Sequence, residues 1–206
     1  MLFGADGSDE VRVELRDGSI VVVRPIRPED RDGLRSGFEL LSERSRYQRF
    51  MTGVSQLSDR DLDYLADVDH HDHEALIAYE EAGGRVGIGV ARFVRLADGV
   101  SAEAAVTVVD EWQGRGLGTT LLTLLAERAR AEEVGRFVAL LLASNEQMLD
   151  VLAALGPARI TSRADGTIEV EVDIPREGIG EHMAGVLRIA AGGTVELATP
   201  PWGLRQ

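Results

Sequence analysis

The amino-acid sequence predicts an α/β (α+β) fold, in which one mixed, mostly antiparallel sheet is flanked by helices. Three observations carry that expectation. Short alternating apolar runs meet at Asp17-Gly18, Asp98-Gly99 and Asp165-Gly166, the turn chemistry of antiparallel hairpins. Residues 106–118 run from an apolar strand through Gly114-Arg115-Gly116-Leu117-Gly118 straight into a helix. Phe137-Val138-Ala139-Leu140-Leu141-Leu142 is almost wholly apolar, as expected of a strand reached by a crossover and covered on both faces.

Taken in order, residues 11–15 and 20–24 alternate as a first hairpin. Pro28-Glu29-Asp30 opens a helix to about Leu41, with proline early and acids in the first turn. Residues 42–50 and 57–66 read as further helical pieces. Strands follow at 75–79, 86–95 and 102–109, the last two paired across Asp98-Gly99. In Val86-Gly87-Ile88-Gly89-Val90-Ala91 large and small residues alternate, so one face can fill a core while the other admits a ligand or a backbone. The helix at 117–131 carries Leu117, Leu121, Leu124, Leu125 and Ala129 on one side. Ser144-Asn145-Glu146-Gln147 has the form of a capping box for a helix through Leu155, ended by Gly156-Pro157. Residues 159–163 and 167–173 make a final hairpin. The domain is expected over 1–174. Residues 175–206 form an extension with one more hairpin at 186–197, or a tail.

Composition bounds the chemistry. The 206 residues are 44% hydrophobic and 28% charged, as in a soluble globular protein. No apolar run approaches the ~20 residues of a membrane span, and no secretion signal is visible, so the expected location is cytoplasmic. All 22 Lys+Arg residues are arginine and cysteine is absent, which removes Schiff-base, thiolate and disulfide chemistry together. A net charge of −13 argues against a nucleic-acid partner. Residues 55–81 are one-sided in charge, with nine carboxylates against the single cation Arg60, either a solvated helix face or a lip that attracts an amine.

The glycine loop is built to hold a diphosphate. Gly114, Gly116 and Gly118 let the backbone approach an anion, and the N–H groups of the first helical turn point at it. Arg115 adds a charged donor. The lysine-dependent P-loop is excluded by composition, and a dinucleotide-binding fold places its glycines in the first βα turn, whereas these lie past mid-chain. A plain glycine-rich turn is the remaining alternative.

Gln113-Gly114-Arg115-Gly116-Leu117-Gly118 resembles the pyrophosphate-binding loop of the GNAT superfamily of N-acetyltransferases, and the element order matches that fold over about residues 10–174. The resemblance implies acetyl-CoA as co-substrate, no metal, and a sheet splayed at the acetyl-CoA site. It places Gln113, Gly114, Arg115, Gly116, Leu117, Gly118, Thr119 and Asn145 at the cofactor. It also sets Val108 and Val109 near the thioester, where a backbone N–H polarises the carbonyl. Trp112 is expected to pack beside the loop.

Four further segments resemble Pat-type bacterial protein lysine acetyltransferases: residues 15–19 (LRDGS), 23–30 (VRPIRPED), 41–50 (LSERSRYQRF) and 67–73 (DVDHHDH). Glu103 begins the strand three to five residues before the thioester position and is the candidate base, since a charged acceptor amine must lose a proton before it attacks. A solvent-facing strand-edge carboxylate is the alternative, and the resemblance implies the base. It implies that His70 or His73 contacts substrate or orders the site, and that AMP-forming acyl-CoA synthetases are representative targets. Where many superfamily members place an acidic tyrosine this chain has Leu152, so no protein acid is assigned. Many Pat-type proteins carry a cyclic-nucleotide domain or an acyl-CoA synthetase-like region; neither is expected with this chain, nor is control by a cyclic nucleotide. A monomer or homodimer is expected. The alternatives are a small-molecule amine acetyltransferase and a non-catalytic acetyl-CoA-binding module.

Overall fold

The computed structural model describes residues 10–82, 84 and 86–175. The elements are β1 (Val11–Glu14), β2 (Ile20–Pro25), α1 (Arg31–Glu39), α2 (Glu43–Phe50), α3 (Asp59–Ala66), β3 (His73–Glu80), β4 (Gly87–Arg95) and β5 (Ser101–Val108), followed by α4 (Leu117–Ala131), β6 (Arg136–Leu142), α5 (Glu146–Ala153), β7 (Ala158–Ala164) and β8 (Thr167–Asp173). They form one eight-stranded sheet in the order β1-β2-β3-β4-β5-β6-β8-β7. Every neighbouring pair is antiparallel except β5 and β6, which the α4 crossover makes parallel. No helix among the described residues is long and apolar enough to cross a membrane. The expected hairpin at 186–197 lies outside the described residues.

Strand alternation divides the core in two. On one face Ala102 and Ala104 of β5, Ala91 and Phe93 of β4, and Leu76 and Ala78 of β3 meet Leu117, Leu121 and Leu125 of α4. Each of those leucines is at most 1% exposed, and full burial of such a side chain stabilises by about 1.5–3 kcal/mol. On the other face Ala75, Ile77 and Tyr79 of β3 pack with Leu34 of α1 and Leu62 of α3. The small residues of β4 receive protein rather than ligand: a Cβ on Gly37 of α1 would lie 2.1 Å from the Gly87 carbonyl oxygen, and one on Gly89 would lie 2.8 Å from Leu121.

Three local expectations are corrected. The helix expected from Pro28 begins as a 3-10 turn, and α1 starts at Arg31. There the Asp30 carboxylate accepts from the Arg27 N–H at 2.8 Å, from Arg24 through two bonds of 2.7 Å, and from the Tyr79 hydroxyl at 2.7 Å. α3 starts at Asp59 rather than Leu57, because Ser58 and Asp61 form its capping box. α5 is capped by Asn145 rather than Ser144; its Oδ1 accepts from the Met148 N–H at 3.2 Å.

Candidate functional site

A cleft opens where β5 and β6 part. They pair at Ser101, Ala102 and Glu103 and no further, because β4 holds β5 through Val108 while β8 draws β6 away along its whole length. The resulting cavity of about 860 Å³ is lined by residues 103–108 on one side and by Leu140 and Leu141 on the other. Gly114, Gly116, Gly118 and Thr119 close one end, and Asn145, Met148 and Val151 lie along α5.

The backbone of β5 arms this gap. The Val109 N–H donates to the Ile88 carbonyl at 2.9 Å and the Leu96 N–H to the Ser101 carbonyl at 2.8 Å. By the alternation of an antiparallel ladder, residues 101, 103, 105, 107 and 109 turn their polar groups to β4. The intervening residues face β6 and, past Glu103, the gap. Val106 and Val108 therefore present N–H groups to the cleft, whereas the N–H of Val109, expected near the thioester, is given to Ile88 of β4 and its carbonyl accepts from the Trp112 N–H at 2.8 Å. The Val108 carbonyl is taken by Gln113, whose side-chain amide donates to it at 3.0 Å and to Ser45 Oγ at 3.2 Å. Gln113 thus ties the loop to β5 and α2.

The loop has the geometry of an anion cradle. Gly114 and Gly116 adopt φ of +73° and +94°, where a Cβ would be strained. Gly116 caps α4, so the N–H groups of Leu117, Gly118 and Thr119 have no intrahelical acceptor. The Leu117 side chain itself is buried in the core. Trp112 packs beside the loop, and the Arg115 guanidinium stacks on its ring at 4.7 Å.

Arg115 is the clearest departure. Its side chain donates to Asp17 at 2.8 Å and lies near Ser19 Oγ at 3.4 Å, in the β1–β2 turn, and does not line the cleft. Arg16 of that same turn does line it, and the Arg16 N–H donates to the Arg115 carbonyl at 3.2 Å. The cation beside the glycine loop comes from a segment about a hundred residues away in sequence. Asp110 pins α2 to the other side of the loop, accepting from the Ser42 N–H (2.8 Å), Ser42 Oγ (2.7 Å) and Ser45 Oγ (2.9 Å). Those hydrogen bonds outweigh its burial and hold the carboxyl below the usual carboxylate range.

The face of β5 away from α4 carries different chemistry. Glu103 is exposed there, at the last paired position before the strands diverge. Around it lie Arg49 of α2, Arg92 of β4, Tyr64 of α3 and His73 of β3. Arg92 is 6% exposed; it donates to His73 Nε2 at 3.0 Å and to the Leu65 carbonyl at 2.9 Å. Burial and then the neighbouring Arg92 push the His73 pKa below its ordinary value, which keeps the ring a neutral acceptor, with its centroid 5.1 Å from that of the tilted Tyr64 ring. His70 is elsewhere. Its Nδ1 lies 2.7 Å from Glu74, a fully buried carboxylate that also receives Arg128 at 2.8 Å on the α4 side. His71 pairs with Glu132. The three histidines answer to three different partners, and among the described residues no group suited to hold a metal converges.

The acidic stretch is also largely occupied. Asp59 and Asp63 bind Arg31 and Arg35, Asp72 binds Arg95, and Glu81 binds Arg12. Asp61 caps α3, and Asp69 accepts from the His71 and His73 N–H groups. Sequence reasoning missed Arg16, Arg49, Tyr64, Arg92 and Val106. Of these, Arg16 and Arg49 lie within the segments that resemble Pat-type enzymes, and Arg92 stands as a lone charge inside an apolar strand.

Residues 38–156 match the model of the family described as the Acetyltransferase (GNAT) family. The chain is 32% identical over 155 residues to Acetyltransferase PA5475 of Pseudomonas aeruginosa, covering 75% of this chain and 83% of that protein. It is 36% identical over 167 residues to Acetyltransferase Pat of Mycolicibacterium smegmatis, covering 80% of this chain and 49% of that protein, so it spans about half the length of this relative. The crystal structure of the GNAT domain of S. lividans PAT superposes with a TM-score of 0.75 at 32% identity, covering 84% of this chain and 99% of that domain. Salmonella typhimurium yncA, solved with acetyl-CoA, shares the fold at a TM-score of 0.61 and 19% identity, over 76% of this chain and 95% of that one.

Proposed function

Since the chain belongs to the GNAT acetyltransferase family and is an acetyl-CoA-dependent N-acetyltransferase, we propose that it acetylates the side-chain amine of a protein lysine, with Glu103 as the base. The observation that carries this reading is the position of Glu103: exposed, lining the cleft, at the point where β5 and β6 separate, on the face opposite α4. Similarity to Pat and to the S. lividans PAT domain supports a lysine in a protein as the acceptor, and an acyl-CoA synthetase as one such protein.

Acetyl-CoA supplies an activated thioester. The unpaired amides of the glycine loop suit its pyrophosphate, and the Val106 and Val108 N–H groups suit the amide and thioester oxygens of an extended arm laid along β5. A lysine amine with pKa ≈ 10.4 is protonated at pH 7, and holding it neutral costs about 4–5 kcal/mol at roughly 1.36 kcal/mol per unit. Glu103 accepts that proton directly or through one water. Leu152 is fully buried, so the leaving thiolate takes its proton from solvent. The catalytic unit in this reading is residues 1–174, acting in the cytoplasm as a monomer or homodimer.

Incubation with labelled acetyl-CoA and a cell extract, followed by mass spectrometry, tests the acceptor. Nε-acetyl-lysine in a small set of proteins is the expected product. Label confined to free small amines would favour small-molecule acetylation, and no transfer at all would favour a binding module.

A further inference from the structure

Arginines in this chain are commonly matched by a carboxylate. Arg24 grips Asp30 through two 2.7 Å bonds, Arg128 reaches Glu74 at 2.8 Å, and Arg95 reaches Asp72 at 2.6 Å. Arg49 and Arg92 differ. Among the described residues neither has a carboxylate within ion-pair distance, and the two partners of Arg92 are a neutral imidazole and a carbonyl. Both arginines line one small cavity of about 60 Å³ whose other walls include Leu34, Phe38, Leu57 and Val90. Two cations in largely apolar surroundings, with the exposed Glu103 the nearby carboxylate but not in an ion pair with either, form a costly arrangement that a ligand's negative charge relieves. Burial and the proximity of Arg49 pull the Arg92 pKa down to about 10, consistent with that cost. A cavity of this size has room for a carboxylate, since about 10–15 Å³ of such space already holds a water.

The cavity adjoins the reaction site. Arg49 lines both it and the cleft, beside Glu103. Arg92 lies opposite Ala105, which makes it a diagonal cross-strand neighbour of Glu103, roughly 7–8 Å away between backbones. An extended peptide advances about 3.3–3.6 Å per residue, so a side chain within two positions of a lysine at Glu103 reaches this distance. We propose that Arg49 and Arg92 seat the carboxylate of an aspartate or glutamate flanking the target lysine, so that the enzyme selects lysines in acidic local sequence. The proposal rests on the protein-lysine reading above. It reverses the simple expectation from net charge: a basic flanking residue would meet two like charges here.

The test uses three peptides that differ only beside one acceptor lysine, carrying Asp, Asn or Arg, with kcat/KM measured for the wild type and for Arg49→Gln. The wild type should prefer Asp over Asn by about tenfold at low salt and disfavour Arg further, with the spread shrinking as salt rises. Arg49→Gln should compress the three rates together while still acetylating all three. The wild-type ranking stands as a test even if the variant fails to fold. Equal wild-type rates, or a preference for Arg, would overturn the seat and leave lysine acetylation intact. Failure to acetylate any peptide, with transfer to free small amines, would overturn the lysine reading and the seat together.

Discussion

The two faces of β5 meet at one reaction site but are built from different materials. Along the β5 edge that faces β6, and in the glycine loop, the chain presents backbone: the Val106 and Val108 N–H groups, positive-φ glycines, and the first turn of α4. Toward α2 and α3 it presents charged and aromatic side chains, Arg49, Tyr64, His73, Arg92 and Glu103, drawn from five separate elements. Backbone donors bind a fixed ligand in the same way whatever the neighbouring sequence. Side chains on a separate face can change without disturbing that ligand, so acceptor choice can vary on a constant donor site.

Breaking the backbone side should have the largest effect on acetyl-CoA. Gly118 lines the cleft, and a Cβ there meets Val108 and Val151 at 3.7 Å, an ordinary contact. Gly118→Ala should therefore fold and bind, whereas Gly118→Asp places a negative charge where the diphosphate belongs and should weaken acetyl-CoA by on the order of 100-fold in calorimetry. Unchanged affinity would move the pyrophosphate away from this loop.

The cation beside the loop sharpens the contrast. Arg16→Ala should weaken acetyl-CoA about tenfold, the scale of a lost charge-assisted hydrogen bond. Arg115→Ala, whose guanidinium is held by Asp17, should cost only about two- to threefold by loosening the turn. The reverse ranking would restore Arg115 as the direct ligand. Calorimetry on both variants at two salt concentrations decides between them, because a direct contact is the more salt-sensitive.

The side-chain face should respond to pH where the backbone face does not. The His73 pKa is depressed in the fold, so stability is complete above the unfolded value near 6.5 and is lost as pH falls from there toward the lower folded value. A modest fall in Tm of a few degrees is expected across that window, absent in His73→Gln. An identical pH dependence in the variant would assign the loss to other groups.

The same division explains what could be read in advance. The donor site is contiguous, and the bounds of α4 follow from leucine spacing and a glycine cap within residues 106–131. What the sequence leaves open there is direction. Which of the Val108 and Val109 amides faces the cleft depends on strand register, since a one-residue shift along a strand reverses which neighbour the amide faces, and the Arg115 side chain turns to Asp17, whose nearness only the folded chain reveals. The acceptor side spans Arg49 to Glu103 without a local pattern. His70 and His73 looked equivalent in sequence, yet a left-handed φ of +58° at His70 sends it to Glu74 while His73 joins Arg92.

Single-turnover transfer from preloaded acetyl-CoA to a lysine peptide, followed against pH in the wild type and in Glu103→Gln, isolates the step that joins the two faces. Glutamine keeps the shape of the side chain but cannot take the amine's proton. The chemical rate at pH 7 should fall by roughly 10²–10⁴, the range of general-base catalysis, with acetyl-CoA affinity unchanged and part of the rate recovered at higher pH as more amine arrives neutral. A wild-type rate at pH 7 in Glu103→Gln would remove Glu103 as the base and contradict the assignment of the side-chain face to proton transfer.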